Sequence, residues 1–408
     1  MNVQRLVQRA RSSGLEFAEV VAVLVTACAS SNAFAETPKS AFTADSIINI
    51  EAVGAGIFDP SGRYFLFEKA PPMKDWPSFS ETFDPSASHR TGKIYIYDRH
   101  RAGPIRLPFP ERPDTGYWLG RFSPDGRSFY YFEDRKGHVK LCIYNLRTRT
   151  PSKVAGTPAI SSMFDILDRT PVWADSKTLI FASTMKSSPI EAEDRRLISA
   201  SLNTLWQKAW RGKSASATAV SSDPAHRSSS QDDGALIKVD LAKHRESRLL
   251  LGRFSEIELS PDRRYVAALQ EEAAPPFPQR GNLGIYWDRI RTKLVVVDLA
   301  DGRAVKLEPT IAIPGSLRWA PQGDRLSFYG YPARDSSAQK QLRILHIRSR
   351  TTTTVITSGL KLVSEAENGL SDRPVGDIWL GNRLLVLATN IGELALNDPG
   401  KNGEQHDR

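Results

Sequence analysis

From about residue 50 onward, short apolar runs alternate with clusters of Pro, Asp, Ser and Gly, and one order of residues keeps returning. The clearest copy is Arg121-Phe122-Ser123-Pro124-Asp125-Gly126-Arg127, followed by the apolar run Ser128 to Phe132. Phe58-Asp59-Pro60-Ser61-Gly62-Arg63-Tyr64, Leu259-Ser260-Pro261-Asp262-Arg263-Arg264-Tyr265 and Trp319-Ala320-Pro321-Gln322-Gly323-Asp324-Arg325 repeat it. Val172-Trp173-Ala174-Asp175-Ser176-Lys177 and Ile378-Trp379-Leu380-Gly381-Asn382-Arg383 are degenerate copies. The chemistry is that of a tight turn: proline pre-sets φ, Ser or Asp accepts a main-chain hydrogen bond, and glycine takes the exit. Flanking aromatic and β-branched residues predict a strand on each side.

A second half-repeat follows most copies, as in Tyr97-Asp98-Arg99, Tyr144-Asn145-Leu146, Val239-Asp240-Leu241, Val297-Asp298-Leu299 and Leu345-His346-Ile347. Each is an apolar strand that turns into another, so two hairpins make a four-stranded unit. Anchors at residues 60, 124, 174, 261, 321 and 381 lie 64, 50, 87, 60 and 60 residues apart. Four-stranded units at that interval predict an all-β propeller of about six blades over residues 36–398, the last blade incomplete. In each blade the strands A to D run from the centre outward. The A–B turns are tight, and the long excursions fall between strands B and C, at residues 71–92, 184–234 and 271–291. All three therefore crowd one face, which is also where any attached domain must sit.

The longest excursion carries a helical period. Ile198, Leu202, Leu205 and Trp206 share a face across Glu191 to Trp210, which predicts one helix whose Trp206 and Trp210 either pack on the propeller or grip a ligand. Gly212 to Gly234 is rich in Ser and Asp and reads as a linker. Two acidic pairs, Glu191/Glu193 and Glu271/Glu272, lie in the excursions, where exposed loop charge is the commoner role.

Composition narrows the function classes. The 408 residues carry a net charge of +9, but the basic residues are scattered singly and form no stripe with interleaved aromatics, which argues against a nucleic-acid partner. Cys28 and Cys142 are the only cysteines and give neither a disulfide framework nor a metal spacing. At the N-terminus, Arg5, Arg9 and Arg11, the apolar run Val20 to Ala27 and Ala33-Phe34-Ala35 form a signal-peptide pattern over residues 1–35. Val25-Thr26-Ala27-Cys28 alternatively reads as a lipobox, and only lipidated Cys28 would bring the chain to a membrane. An exported, periplasmic protein is expected on either reading.

Catalytic motifs do not form. Gly126-Arg127-Ser128-Phe129-Tyr130 and Gly369-Leu370-Ser371-Asp372-Arg373 both have a bulky residue where a nucleophile elbow requires its second glycine. Gln207 replaces the leading glycine of a P-loop before Gly212-Lys213-Ser214, and the seven histidines show no ligand spacing. No cofactor is expected.

The run from Thr43 to Tyr64, with Ser46-Ile47-Ile48-Asn49-Ile50 before the first turn, together with the blade repeats resembles the N-terminal propeller of the prolyl oligopeptidase family. The likeness is to its acylaminoacyl-peptidase-like branch, and the exported, helix-inserted third blade with Leu205-Trp206 and Trp210 is similar to the lasso-peptide isopeptidases. TolB-type periplasmic propellers share the same turn. The resemblance implies a propeller that filters peptide access to a hydrolase domain docked on the excursion-bearing face. It also implies that acidic residues there contact a peptide's amino terminus. Beyond strands at 377–380, 384–389 and 394–396 the chain reads as a polar tail, 399–408, so the catalytic domain and strand D of the last blade are expected to be missing. Ser46–Ile50 offers a substitute fourth strand that would close the ring; an open ring is the preferred expectation, because Asp45 and Asn49 disfavour a strand.

Overall fold

The computed structural model describes residues 43–75, 91–101, 105, 108–109, 112, 115–135, 138–159, 168–184, 207–213, 234–272, 291–306, 310–332, 341–355, 360–362 and 377–390. Two compact units divide at Ile50/Glu51. In the first, Ala44–Ile48 is a single helical turn, not a strand. The reason is local: Thr43 Oγ1 accepts the Ser46 N–H while Ser46 Oγ accepts the Thr43 N–H, a reciprocal cap that commits the segment to helix.

The second unit is all-β, a succession of antiparallel sheets in which each sheet is built from consecutive chain. Blade one comprises β1 (Ala52–Phe58), β2 (Tyr64–Ala70) and β3 (Lys93–Asp98). Blade two comprises β4 (Thr115–Phe122), β5 (Ser128–Arg135), β6 (His138–Asn145) and β7 (Thr150–Lys153). Blade three has β8 (Thr157–Pro158), β9 (Val172–Asp175), β10 (Thr178–Thr184), β11 (Gly234–Asp240) and β12 (Arg245–Leu251). Blade four has β13 (Phe254–Leu259), β14 (Tyr265–Glu271), β15 (Thr292–Asp298) and β16 (Ala304–Lys306). Blade five has β17 (Thr310–Ala312), β18 (Arg318–Trp319), β19 (Arg325–Pro332), β20 (Gln341–His346) and β21 (Thr351–Thr354). Blade six is described as two separate two-stranded pairs, β22 (Leu360–Leu362) with β25 (Ala388–Asn390) and β23 (Ile378–Leu380) with β24 (Arg383–Leu385). Strand order within each complete sheet follows the chain, as a propeller of six blades requires.

The recurring turn is built as its residues dictate. Ser123 Oγ accepts the Ser128 N–H at 3.0 Å and donates to Asp125 at 2.7 Å; Ser260 does the same toward Tyr265 and Asp262. Gly126 and Gly323 take positive φ at the exit, and each lies against an aspartate of the preceding blade's turn, Asp59 and Asp262. The second half-repeat explains itself too. Asp98, Asn145, Asp240 and Asp298 end strand C, and their side chains accept main-chain N–H groups two or three residues on, which closes the C–D turn. His346 stands at the same register opposite Arg325.

Packing between blades makes the core. Along β10, Leu179 and Phe181 pack toward blade two while Ile180 and Ala182 pack toward blade four. Along β14, Val266 and Ala268 face blade three, and Ala267 and Leu269 face blade five. Strands buried on both faces need continuous apolar runs, and this is what the sequence supplies. The end blades differ. Phe58, Phe65, Phe67 and Tyr95 form a stacked aromatic row on one side of blade one, with Phe58 66% exposed. In blade six, Leu380, Leu385 and Leu387 are exposed.

One feature of the inner strands is not visible in the repeat. In every blade strand A is broken. It bulges in β1, β4 and β13, and it is split in two in the others, where β8/β9, β17/β18 and β22/β23 each pair along one strand B or its two halves. A bulge or split frees main-chain groups and turns side chains toward the centre.

Candidate functional site

The sequence-predicted positions fare differently. Glu191, Glu193 and Trp206 lie outside the described residues. The backbone is helical at 207–210, as expected for the end of the inserted helix, but Trp210 is 94% exposed and is not packed on the propeller. Glu271 and Glu272 are both engaged in ion pairs. Glu271 is the last residue of β14, in register with Thr292 rather than in a loop, and its carboxylate is held by Arg169 at 2.9 Å and Arg253 at 3.1 Å. Glu272 pairs with Lys293 at 2.7 Å. Both ion pairs stand at the foot of the B–C excursion. The pair Arg169–Glu271 ties blade three to blade four, with side-chain exposures of 7% and 11%. Cys142 is buried on β6 and its thiol is pushed up to about 11 by that burial, which makes it unreactive.

A different set of residues converges, and it does so on the broken inner strands. The position just before the residue that opens each turn, aromatic in five copies and Leu259 in the sixth, is Ile57, Arg121, Val172, Glu258, Arg318 and Ile378. Three of the six carry charge where the others are aliphatic. Glu258 on β13 feels charges from three other blades. Burial holds its carboxyl above the usual range, Arg121 of blade two and Arg318 of blade five pull it down, and Asp168 before β9 adds repulsion. Glu256, two residues earlier, is wholly enclosed at the bulge with φ of 47°. Its carboxylate accepts the N–H groups of Gly315 (2.5 Å) and Leu317 (2.8 Å), and its own N–H donates to the Asp168 carbonyl. Burial nonetheless pushes this carboxyl up to about 7. Asp377, immediately before β23, has Arg318 Nε at 3.8 Å and is also raised by burial. Arg121, Asp168, Glu256, Glu258, Arg318 and Asp377, from five consecutive blades, thus form a set of charged groups of both signs, the ring residues below, that act on one another across the inner strands. Among the described residues no group of three His, Cys, Asp or Glu side chains is placed to hold a metal ion.

Aromatic residues set the spacing of this ring. Trp173 Nε1 donates to the Arg121 carbonyl (3.1 Å), Trp319 Nε1 to Glu258 (3.2 Å) and Trp379 Nε1 to Arg318 (3.1 Å). Each indole is a staple to the blade before it, and the residue it grips is a charged member of the ring. Sequence reasoning overlooked all six ring residues. The signal available was the aligned column before the aromatic, where Arg121, Glu258 and Arg318 break an apolar pattern.

No family model matches the chain, and no curated protein matches it. Among solved structures, it resembles the β-propeller domain of the Trilobed protease from Pyrococcus furiosus at 12% identity and a TM-score of 0.40, over 84% of this chain and 78% of that one. It resembles the acylaminoacyl peptidase of Pyrococcus horikoshii at 12% identity and a TM-score of 0.39, over 84% of this chain and 43% of that one. A putative TolB from Agrobacterium tumefaciens matches at 12% identity and a TM-score of 0.33, over 75% and 81%. Likenesses this distant assign the chain to none of these families.

Proposed function

We propose that this chain is an exported, peptide-binding propeller, the substrate-gating part of a peptidase of the prolyl-oligopeptidase type, with no catalysis of its own. The observation that carries the reading is the convergence on the inner strands of Arg121, Glu258 and Arg318 from three blades, where both arginines act on the glutamate and both signs of charge are offered. A peptide presents the same two signs along a short backbone, and main-chain groups freed at the bulges can pair with it. The turn motif and blade spacing that resemble the peptidase propellers support the reading at the level of sequence.

Immobilised full-length protein exposed to a casein digest tests it. Selective retention of short peptides, reduced by Arg121→Ala at an exposed ring position, is the expected result. Retention of intact folded proteins with indifference to peptides would favour a protein-interaction propeller of the TolB kind. Hydrolysis of the digest, abolished by one Ser→Ala change, would refute the absence of catalysis.

A further inference from the structure

Arginines that are scattered along the chain are gathered by the fold at one end of the blades. In an antiparallel sheet that follows chain order, the A–B and C–D turns share one end of the strands and the B–C excursions take the other. Hydrogen bonds set the two turns side by side. The Arg99 N–H donates to the Arg63 carbonyl, Leu146 to Arg127, Leu241 to Lys177 and Leu299 to Arg264, all at 2.7–2.9 Å. Neighbouring blades continue the surface, since Gly126 lies against Asp59, Gly323 lies against Asp262, and Arg325 Nη2 donates to Asn382 Oδ1 at 2.9 Å.

On this surface the acids turn inward and the bases outward. The Asp98 carboxylate accepts the His100 N–H and the Arg63 guanidinium, and its side chain is 9% exposed, against 63% for Arg101 beside it. Asp298 accepts the Ala300 N–H and is 16% exposed, against 58% for Arg264. Arg147, Arg149, Arg245, Arg348 and Arg350 are exposed at the C–D turns and make no ion pair among the described residues. At the opposite strand ends the charges are matched, Arg169 with Glu271 and Lys293 with Glu272.

Three of the arginines are held there against backbone preference. Arg149 and Arg350 have φ of 57° and 58°, and each donates its N–H back to the last residue of strand C. Gly302 takes the same place in blade four, with φ of 73° and the same bond to Asp298. Arg263, with φ of 58°, stands in the A–B turn where blade two has Gly126. A residue with a side chain is strained in this left-handed conformation, and glycine is not. None of the three guanidinium groups makes a hydrogen bond or ion pair among the described residues, so the turns themselves gain nothing from the charge.

We infer that this turn-bearing surface docks on a plane of anionic lipid headgroups. A bilayer presents phosphates in two dimensions and at any spacing, so guanidinium groups spread over successive blades reach it together. A nucleic acid offers a line of phosphates and would meet only one track of them. Each basic group close to such a membrane strengthens binding about fivefold. The contact needs no lipid on Cys28, leaves the excursion-bearing end turned away from the bilayer, and is independent of the peptide-binding reading.

Sedimentation of the full chain with lipid vesicles tests the inference. Phosphatidylcholine vesicles with about one third phosphatidylglycerol should carry the protein down at low salt and release it as salt rises toward about 0.5 M. Pure phosphatidylcholine vesicles should leave it in solution. The combined Arg149→Gly, Arg263→Gly and Arg350→Gly variant should bind the anionic vesicles about a hundredfold more weakly. Its melting temperature should be no lower than that of the wild type, because glycine suits all three positions. Equal sedimentation with both kinds of vesicle, or undiminished binding by the variant, would overturn the proposal. So would a lower melting temperature, which would show the arginines serving the fold. Release of the bound protein by single-stranded DNA at the same phosphate concentration would assign the surface to nucleic acid and overturn the bilayer.

Discussion

The indole N–H of Trp319 donates to the main-chain carbonyl of Glu258, 61 residues earlier and one blade back, at 3.2 Å. The Trp319 ring also stacks on Tyr265 of that blade at 6.4 Å. The contact fixes two inner strands against each other at the point where the charged ring forms. Trp319→Phe keeps most of the packing and removes the donor, leaving a half-buried carbonyl unpaired. Chemical denaturation should show a loss of about 1–2 kcal/mol. Trp379→Phe should cost more than Trp319→Phe, because the Trp379 indole also reaches Ser327 Oγ and lies under the Arg325 guanidinium.

Glu256 should impose a pH dependence. Its folded pKa, about 7, stands above the ordinary 4.5, so the folded state holds this proton more tightly than the unfolded chain does. The resulting stabilisation is fully present below about pH 4.5 and is lost as pH rises through about 7. Glu258 and Arg318, the charged groups acting on this carboxyl, oppose each other: the first raises it and the second lowers it. Melting temperatures measured from pH 5 to pH 8.5 should therefore fall more steeply in the wild type than in Glu256→Gln. The variant should be less stable at pH 5, where it gives up an acceptor for Gly315 or Leu317. Parallel curves would show that Glu256 does not titrate in this window.

Glu271→Gln should be strongly destabilising, by about 3 kcal/mol, because Arg169 would lose its carboxylate in a nearly solvent-free place. Glu272→Gln, beside it in sequence, should cost less than about 1 kcal/mol, since its pair with Lys293 is partly open to water. The contrast checks the inter-blade tie of Glu271 against the ion pair of Glu272, which stays within blade four. If both variants bind peptide as the wild type does once folded, neither glutamate is a peptide contact.

Gly120→Ala probes the bulge of β4. A Cβ there would collide with the ring of buried Tyr130 and come within 2.6 Å of that residue's carbonyl oxygen. Tyr130 cannot yield easily, since its hydroxyl donates to the Pro171 carbonyl at 3.0 Å in the next blade. A loss of at least about 2 kcal/mol is expected in denaturant titration.

Much of the fold was legible because each blade states itself in contiguous sequence. The turn at Ser123–Gly126 and the turn cap at Asp298 use side chains that bond within a few residues, so spacing alone exposes them. The site was less legible for the opposite reason. Whether Glu258 is solvated, paired or enclosed depends on Arg121 and Arg318, which arrive from other blades. The acidic pair that drew attention, Glu271/Glu272, was conspicuous because its members are adjacent. The setting of Asp377 likewise depends on Arg318, which arrives from blade five. At Ala44–Ile48, Asp45 and Asn49 argued against a strand, but the helical turn itself is set by the hydrogen-bonding Thr43 and Ser46.

Sequential strand order within every blade has a kinetic consequence. Most inter-strand pairings join residues close in the chain, and such hairpins close quickly because little chain must be ordered to make them. Blade three is the exception: its β10 and β11 meet only after residues 185–233 have been spanned. Loop closure there should be the slowest elementary step, and two preformed halves, blades one and two and blades four to six, would wait on it. Refolding followed by tryptophan fluorescence should accordingly report the Trp319 and Trp379 environments before that of Trp173, whose indole bridges blade three to blade two across this late junction. Shortening the 185–233 insertion would then accelerate the final phase and leave the earlier ones untouched.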